Sequence, residues 1–143
     1  MRLLLDTHVY LWAVAGSAQL KPAHRRLIES ADEVHVSAAS IWEVAIKVRL
    51  GKVQADPQAL AEAIEASGFI ALPVKPAHAA AVATLPDHHK DPFDRLLVAQ
   101  ALTEPLRLLT ADAALAAYSD LVMLLKWSAC PRWPRRRHRA PGR

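Results

Sequence analysis

The sequence contains a single cysteine, Cys130, so it can form no disulfide within the chain and no metal site built from cysteines alone. It also lacks any unbroken apolar run near the roughly 18 residues that a membrane-spanning helix requires. The apolar run at positions 3–5 ends at Asp6, too early for the apolar region of a signal peptide. From these absences we expect a cytoplasmic protein without a membrane partner.

Most of the chain has no excess of basic over acidic residues. Residues 1–127 contain 12 Lys and Arg against 14 Asp and Glu, a formal charge of −2, whereas residues 128–143 contain six Arg and no acid. We therefore predict one domain at 1–127 and a basic, Pro/Arg-rich, disordered tail at 128–143. Trp133 among these arginines suits base stacking beside phosphate contacts. A solvated extension without a specific role is the alternative.

Short apolar segments alternate with helical patterns along residues 1–127. The predicted strands are residues 2–5, 33–36, 69–72, 106–109 and 121–124. The predicted helices are residues 7–14, 23–30, 38–50, 57–67, 77–85, 93–102 and 111–118. This alternation predicts an α/β protein, a three-layer α/β/α sandwich with a central parallel sheet of about five short strands.

Four acidic residues fall where a parallel sheet gathers its ligands, beyond the carboxyl ends of the strands. Asp6 directly follows the first predicted strand, and Asp112 follows the fourth within a few residues. Glu43 lies about two turns into the helix after the second strand, and Asp94 lies at the start of the helix before the fourth. The pattern therefore predicts that acids from distant parts of the sequence meet at one rim of the sheet.

Two of these four acids, and the nearby Asp91, also have a structural interpretation as helix caps. Asp6 and Asp112 are placed to cap the helices that follow them. Asp91 precedes Pro92, which suits the first position of a helix, and Asp94 would then lie at the third position, where the helix dipole favours a negative charge. Capping and a role in a site are compatible at this helix start.

Glu43 has two structural alternatives of its own. It could complete a capping box with Ser40 or pair with Lys47 one helical turn later. If Ser37 begins the helix, however, Glu43 lies too deep to cap it. Its apolar neighbours in the sequence place its charge near a buried face, where it needs a partner, and a cation would supply one.

Carboxylates crowded at one site repel each other, so some bind protons or a metal ion neutralises them. A set of oxygen ligands without cysteine suits a hard cation such as Mg²⁺ or Mn²⁺. A rival interpretation is a local zinc or manganese cluster formed by His88, His89, Asp91 and Asp94. Adjacent histidines rarely point at one ion, which argues against that cluster.

Four motifs occur in a definite order along residues 1–127. They are Asp6-Thr7-His8 after an apolar strand, SAASIWE at 37–43, HKDPFDRLLVAQ at 89–100 and LTAD at 109–112. Any one of them is weak, but the set is specific. Together they resemble the PIN-domain ribonucleases, and within these the VapC-type toxins of bacterial toxin–antitoxin pairs.

The resemblance implies an endoribonuclease that depends on one or two Mg²⁺ or Mn²⁺ ions, an RNA substrate, frequent homodimers and inhibition by a cognate antitoxin. The catalytic and metal-binding set that it implies is Asp6, Glu43, Asp94 and Asp112. Thr7, Thr110 and Ser40 would support these acids. Beside this site, Lys90 and Arg95 are candidates for RNA phosphate contacts, with surface salt bridges as the alternative.

Two other classes of function compete with this interpretation. Phosphoryl transfer to Asp6, as in haloacid dehalogenase-type enzymes, requires a second aspartate two residues later, and His8 stands there. A non-catalytic RNA-binding or partner-binding module of the same fold is the main alternative, and the basic tail is its best support.

Overall fold

The fold is built on five parallel strands in a computed structural model that describes residues 1–125. The strands are β1 Arg2–Leu5, β2 Glu33–Ser37, β3 Ile70–Leu72, β4 Arg107–Thr110 and β5 Val122–Leu124. Their order in the sheet is β3-β2-β1-β4-β5, and all neighbours pair in parallel. The predicted parallel sheet of five short strands is confirmed. The predicted tail at 128–143 lies outside the described residues.

Helices connect the strands. They are α1 Thr7–Ala15, α2 Pro22–Ser30, α3 Ala38–Arg49, α4 Pro57–Ala66, α5 Pro76–Ala81 and α6 Pro92–Thr103, with 3-10 segments at Val82–Thr84 and Ala113–Tyr118. Within residues 1–125, no helix is both long and apolar enough to cross a bilayer.

The central strand β1 is covered on both faces. Because side chains alternate across a strand, Leu3 and Leu5 enter one core cluster, with Tyr10 of α1, and Leu4 enters another, with Leu97 of α6. All three leucines of β1 are fully buried, and burial of each contributes about 1.5–3 kcal/mol. The two clusters are the cores of the predicted three-layer sandwich.

The predicted helix at 77–85 is shorter than expected. The α-helix α5 covers Pro76–Ala81, and a 3-10 turn follows at Val82–Thr84. Leu85 adopts an extended backbone, because the ring of Pro86 disfavours the helical conformation at the residue before it. The chain then enters the loop that leads to α6.

The predicted helix at 111–118 is a 3-10 segment that begins only at Ala113. Leu115 is its one buried residue, so little apolar burial stabilises a longer helix. Asp112 caps it, since its Oδ1 accepts the N–H of Ala114 at 3.0 Å. The capping interpretation of Asp112 is therefore correct, and its second carboxylate oxygen remains at the edge of the sheet.

A candidate metal centre at the carboxyl edge of the sheet

Asp6 lies where the two central strands β1 and β4 end. Its Oδ1 accepts the N–H of Val9 at 2.8 Å, which caps α1, and its Oδ2 accepts the hydroxyl of Thr110. Its own N–H donates to the carbonyl of Leu109 at 3.1 Å. Burial raises the pKa of Asp6, and the hydrogen bonds from Thr110 and Val9 oppose that shift. The carboxylate is thus rigidly placed and only 5% exposed.

Glu43 is buried on α3 and faces the same rim. Its Oε1 accepts the hydroxyl of Thr7 at 2.7 Å, and its Oε2 pairs with Nζ of Lys47 at 2.8 Å. The hydroxyl oxygen of Ser40 lies 2.9 Å from that of Thr7. Ser37 caps α3, so the capping box of Ser40 with Glu43 does not form. The pair with Lys47 does, and its hydrogen bond raises the pKa of that lysine.

The two aspartates at the start of α6 have different roles. Asp91 caps the helix, since its Oδ1 accepts the N–H groups of Phe93 at 2.8 Å and of Asp94 at 3.3 Å. The carboxyl group of Asp94 is left at the rim. Its pKa is raised to about 7, first by burial and then by the negative charges of Asp91 and Glu43, with His89 acting in the opposite direction.

The electrostatic interactions show how closely the acids gather. Asp6 and Glu43 each raise the pKa of Asp94, and Glu43 also raises the pKa of Asp6. Asp112 joins them through Thr110, whose hydroxyl oxygen accepts the N–H of Asp112 at 3.0 Å. The fold therefore brings acids from the end of β1, from α3 and α6, and from the segment after β4 to one rim.

His89 connects two of these acids. Its Nε2 lies 3.0 Å from Oδ2 of Asp112 and 3.5 Å from Oδ2 of Asp94. The ligand atoms of these three residues all lie within 4.8 Å of one another. Among residues 1–125, these three side chains form the group whose spacing suits a metal ion. The sequence motif contains His89, but its spacing does not reveal the contact with Asp112, which is 23 residues away.

The rival cluster of His88, His89, Asp91 and Asp94 does not form. His88 turns its ring against Tyr118, with centroids 5.0 Å apart. Asp91 is occupied by the cap of α6. Two members of the proposed cluster are thus committed elsewhere.

The guanidinium of Arg95 donates hydrogen bonds to other groups of the chain. Nη1 donates to the carbonyl of Pro86 at 2.9 Å and to the hydroxyl of Tyr118 at 3.1 Å, and Nη2 donates to the carbonyl of Val82 at 3.3 Å. Its side chain is only 15% exposed. This geometry favours a role in holding the loop before α6 over contact with RNA phosphate. Lys90, the other phosphate candidate, is exposed on that loop.

Tyr118 supports the site although no sequence motif contains it. Its hydroxyl accepts the backbone N–H of His89 at 2.9 Å as well as the guanidinium of Arg95. It follows α6 and β4 in the sequence, at the end of an alanine-rich segment without a motif. Only the packing of this segment against the loop identifies it.

The donor set fits a hard divalent cation. The groups at the rim are carboxylates supported by hydroxyls, which are the oxygen ligands that Mg²⁺ and Mn²⁺ prefer. The pKa of Asp94 is raised first by burial and then by the nearby charges of Asp91 and Glu43, so its ionised form is costly in the chain alone. A bound cation would lower that cost.

The sequence matches a known family over most of its length. The family model of the PIN domain matches residues 3–121. Ribonuclease VapC22 of Mycobacterium tuberculosis (strain ATCC 25618 / H37Rv) is 36% identical over 122 residues, which cover 80% of this chain and 90% of that protein.

Solved structures share the fold at lower identity. VapBC2 from Rickettsia felis, bound to a DNA fragment from its promoter, matches with a TM-score of 0.65 at 15% identity, over 87% of this chain and 97% of that one. A toxin–antitoxin complex from Klebsiella pneumoniae matches with a TM-score of 0.61 at 18% identity, over 85% of this chain and 95% of that one. Fold, family model and sequence relative agree, and the chain belongs to the PIN domain family.

Proposed function

We propose that the protein is a divalent-metal-dependent endoribonuclease and the toxin of a toxin–antitoxin pair. The observation that carries the proposal is the gathering of acids from distant parts of the chain at one edge of the sheet, where Asp94 adjoins Asp6 and Glu43. The name of the relative VapC22, a ribonuclease, supports RNA as the substrate. The metal would be Mg²⁺ or Mn²⁺, as one or two ions.

The four acids Asp6, Glu43, Asp94 and Asp112 would hold the metal. When bound, such an ion lowers the pKa of a coordinated water and neutralises charge on the scissile phosphate. The chain's own residues position the ligands: the Thr110 hydroxyl and the Val9 N–H orient the carboxylate of Asp6, and Thr7 with Lys47 orients that of Glu43. Ser40 supports Thr7.

The proton on Asp94 is also part of the proposed mechanism. Because its pKa is about 7 in the absence of metal, a substantial share of the protein carries this proton near neutral pH. Binding of a cation would displace it, so metal affinity should rise with pH through this range. Of the two predicted phosphate candidates, Lys90 is the exposed one and remains available to RNA phosphates.

An apolar surface beside the rim supports the second part of the proposal, a protein partner. Trp42 is 60% exposed, and its ring packs edge to face against Phe93 with centroids 5.0 Å apart. Together with Val82 and Leu96 they line an open groove of about 270 Å³. We propose that the cognate antitoxin covers this groove and the adjacent acids. A homodimer remains a prediction.

Cleavage of RNA by the purified protein tests the proposal. We expect cleavage with Mg²⁺ or Mn²⁺, none in EDTA, and a loss of about 100-fold or more for Asp94→Asn. Asp120→Asn is the matched control, because Asp120 is exposed. Full activity in EDTA, or in Asp94→Asn, would contradict the metal mechanism.

A further inference from the structure

The hydroxyl of Tyr118 connects the 3-10 segment before β5 to the loop that precedes α6. It accepts the backbone N–H of His89 at 2.9 Å and Nη1 of Arg95 at 3.1 Å, and it donates to the carbonyl of His89 at 3.4 Å. A tyrosine hydroxyl can both donate and accept, so it can make these contacts together. The ring of His88 also packs edge to face on that of Tyr118, with centroids 5.0 Å apart. Tyr118 therefore holds the middle of the loop through its hydroxyl and its ring.

Most of this loop, residues 86–91, is exposed. The residues at 86, 87, 88 and 90 face solvent, so the position of the loop depends on hydrogen bonds more than on apolar packing. Arg95 holds its start through the carbonyl of Pro86 at 2.9 Å, and the cap of α6 holds its end. Between these points, Tyr118 holds both the N–H and the carbonyl of His89. Loss of the Tyr118 hydroxyl should therefore loosen the middle of the loop and leave its ends attached.

The position of His89 matters because its side chain reaches the acids. Its Nε2 lies 3.0 Å from Oδ2 of Asp112 and 3.5 Å from Oδ2 of Asp94. These carboxylates belong to different segments, and the imidazole contacts both. A shift of the His89 backbone would move the group that lies between two proposed metal ligands. Mutation of groups that orient metal ligands typically changes metal affinity or activity by about 10- to 100-fold.

We infer that the Tyr118 hydroxyl is a positioning group of the metal centre: by fixing the backbone of His89, it sets the spacing of the two aspartates that the imidazole contacts. This rests on the proposed metal-dependent function and adds a residue to it. Because Tyr118 acts through His89, it is a positioning residue and not a catalytic one.

The Mn²⁺ affinity of Tyr118→Phe tests the inference without any RNA. The substitution removes the hydroxyl and keeps the ring that packs against His88, so the fold should be retained. The full-length protein is titrated with Mn²⁺ at constant pH, and free Mn²⁺ is measured from its electron paramagnetic resonance signal. We expect a dissociation constant raised about tenfold, because the acids are held less precisely.

Tyr10→Phe is the matched control. The hydroxyl of Tyr10 also holds a backbone carbonyl, that of Leu60 at 2.7 Å, which belongs to α4 and not to the loop. Each variant loses a hydrogen bond, so each should lower the melting temperature by about 3 °C. Only Tyr118→Phe should change the Mn²⁺ dissociation constant.

Arg95→Lys provides the test if Tyr118→Phe folds poorly. Lysine keeps the positive charge but lacks the fork that reaches Pro86 and Tyr118 together, so Mn²⁺ binding should again weaken about tenfold. Arg25→Lys is its control, because Arg25 donates to the carbonyl of Ser17 between α1 and α2. Unchanged Mn²⁺ affinity in a folded Arg95→Lys would contradict a role of the loop in positioning the acids.

RNA cleavage distinguishes this role from a contact with the substrate. At saturating Mn²⁺, Tyr118→Phe should lower kcat about tenfold and keep KM within about threefold, because misplaced acids stabilise the transition state less well. A raised KM with unchanged kcat would overturn the inference. The loop would then act on RNA, through the exposed Lys90, and not on the acids.

Two results of the Mn²⁺ titration would also overturn the inference. One is equal affinity in the wild-type chain and a folded Tyr118→Phe, which would leave the proposed function intact. The other is the same loss of affinity in Tyr10→Phe, because a general loosening of the fold would then explain the effect. A wild-type chain that binds no Mn²⁺ would overturn the proposed function itself, so the two failures are distinguishable.

Discussion

At Asp94 the fold holds a carboxyl group whose pKa, about 7, lies well above its usual 3.8, because the group is buried and adjoins Asp91 and Glu43. The folded protein therefore binds this proton more tightly than the unfolded chain does. The contribution of Asp94 to stability is full below pH 4 and is lost as pH rises through 7. The metal-free protein should thus become less stable across this range.

Asp94→Asn is expected to stabilise the metal-free protein at pH 8, since it removes a buried charge and keeps the shape of the side chain. The gain should be about 2 kcal/mol, roughly half of what the full pKa shift is worth, because the rim is partly open to solvent. At pH 5 Asp94 is protonated in the folded protein but already ionised in the unfolded chain, so the difference should fall to about 1 kcal/mol. Urea denaturation in EDTA at both pH values measures it.

Asp120→Asn provides the control for this comparison, because its carboxylate is exposed. Its free energy of unfolding should match that of the wild-type chain at both pH values to within about 0.5 kcal/mol. If Asp94→Asn is no more stable than the wild type at pH 8, the ionised form of Asp94 is not costly in the folded chain.

Among the elements, α4 and α6 begin in the same way. Each has an aspartate cap followed by proline: Asp56 accepts the N–H of Gln58 at 3.0 Å, and Asp91 accepts that of Phe93 at 2.8 Å. Only the second cap lies beside the acidic rim. Comparing variants of Asp56 and Asp91 therefore separates the structural effect of losing such a cap from any effect on the site.

Asp91→Ala and Asp56→Ala should each lower the free energy of unfolding by about 1 kcal/mol, because each removes a helix cap. Asp91→Asn should keep stability near that of the wild type, since its side-chain oxygen still caps α6, and should keep RNA cleavage. Denaturation and cleavage assays on the same preparations measure both effects. Loss of cleavage in a folded Asp91→Asn would make Asp91 part of the site, contrary to this division of roles.

The elements themselves were largely predictable, because caps and apolar spacing act over a few residues. Ser37 before α3 and Asp91 before α6 were recognised as caps from their neighbours alone. The prediction was wrong at 77–85, where the α-helix ends at Ala81 and a 3-10 turn follows it, and at 111–118, where little apolar surface supports an α-helix. Both errors concern the length or type of a helix and leave the order of elements unchanged.

For the whole molecule, the charge distribution raises the question of how an acidic site attracts RNA. Residues 1–127 carry a formal charge of −2, and residues 128–143 carry six arginines without an acid. If the tail contributes only electrostatic attraction, its arginines should account for much of the salt dependence of RNA affinity. Cleavage should depend instead on the acids of the site. Deleting residues 128–143 separates the two contributions.

We expect the protein without residues 128–143 to bind RNA more weakly and with a smaller salt dependence, and still to cleave RNA at saturating concentration with Mg²⁺. Fluorescence anisotropy in EDTA at several salt concentrations measures binding, and a gel assay measures cleavage. Circular dichroism must first show an unchanged fold. A folded deletion protein that neither binds nor cleaves RNA would instead favour the RNA-binding module, with the tail as its binding element.

The sequence by itself determined the alternation of strands and helices and the residues that end each strand, because apolar periodicity and cap chemistry are local properties. It thereby placed Asp6, Glu43, Asp94 and Asp112 at one edge. The tertiary structure decided which groups these acids face. Thr110 donates to Asp6 across 104 positions and His89 reaches Asp112 across 23, and contacts of that span depend on how side chains pack, which no local pattern encodes.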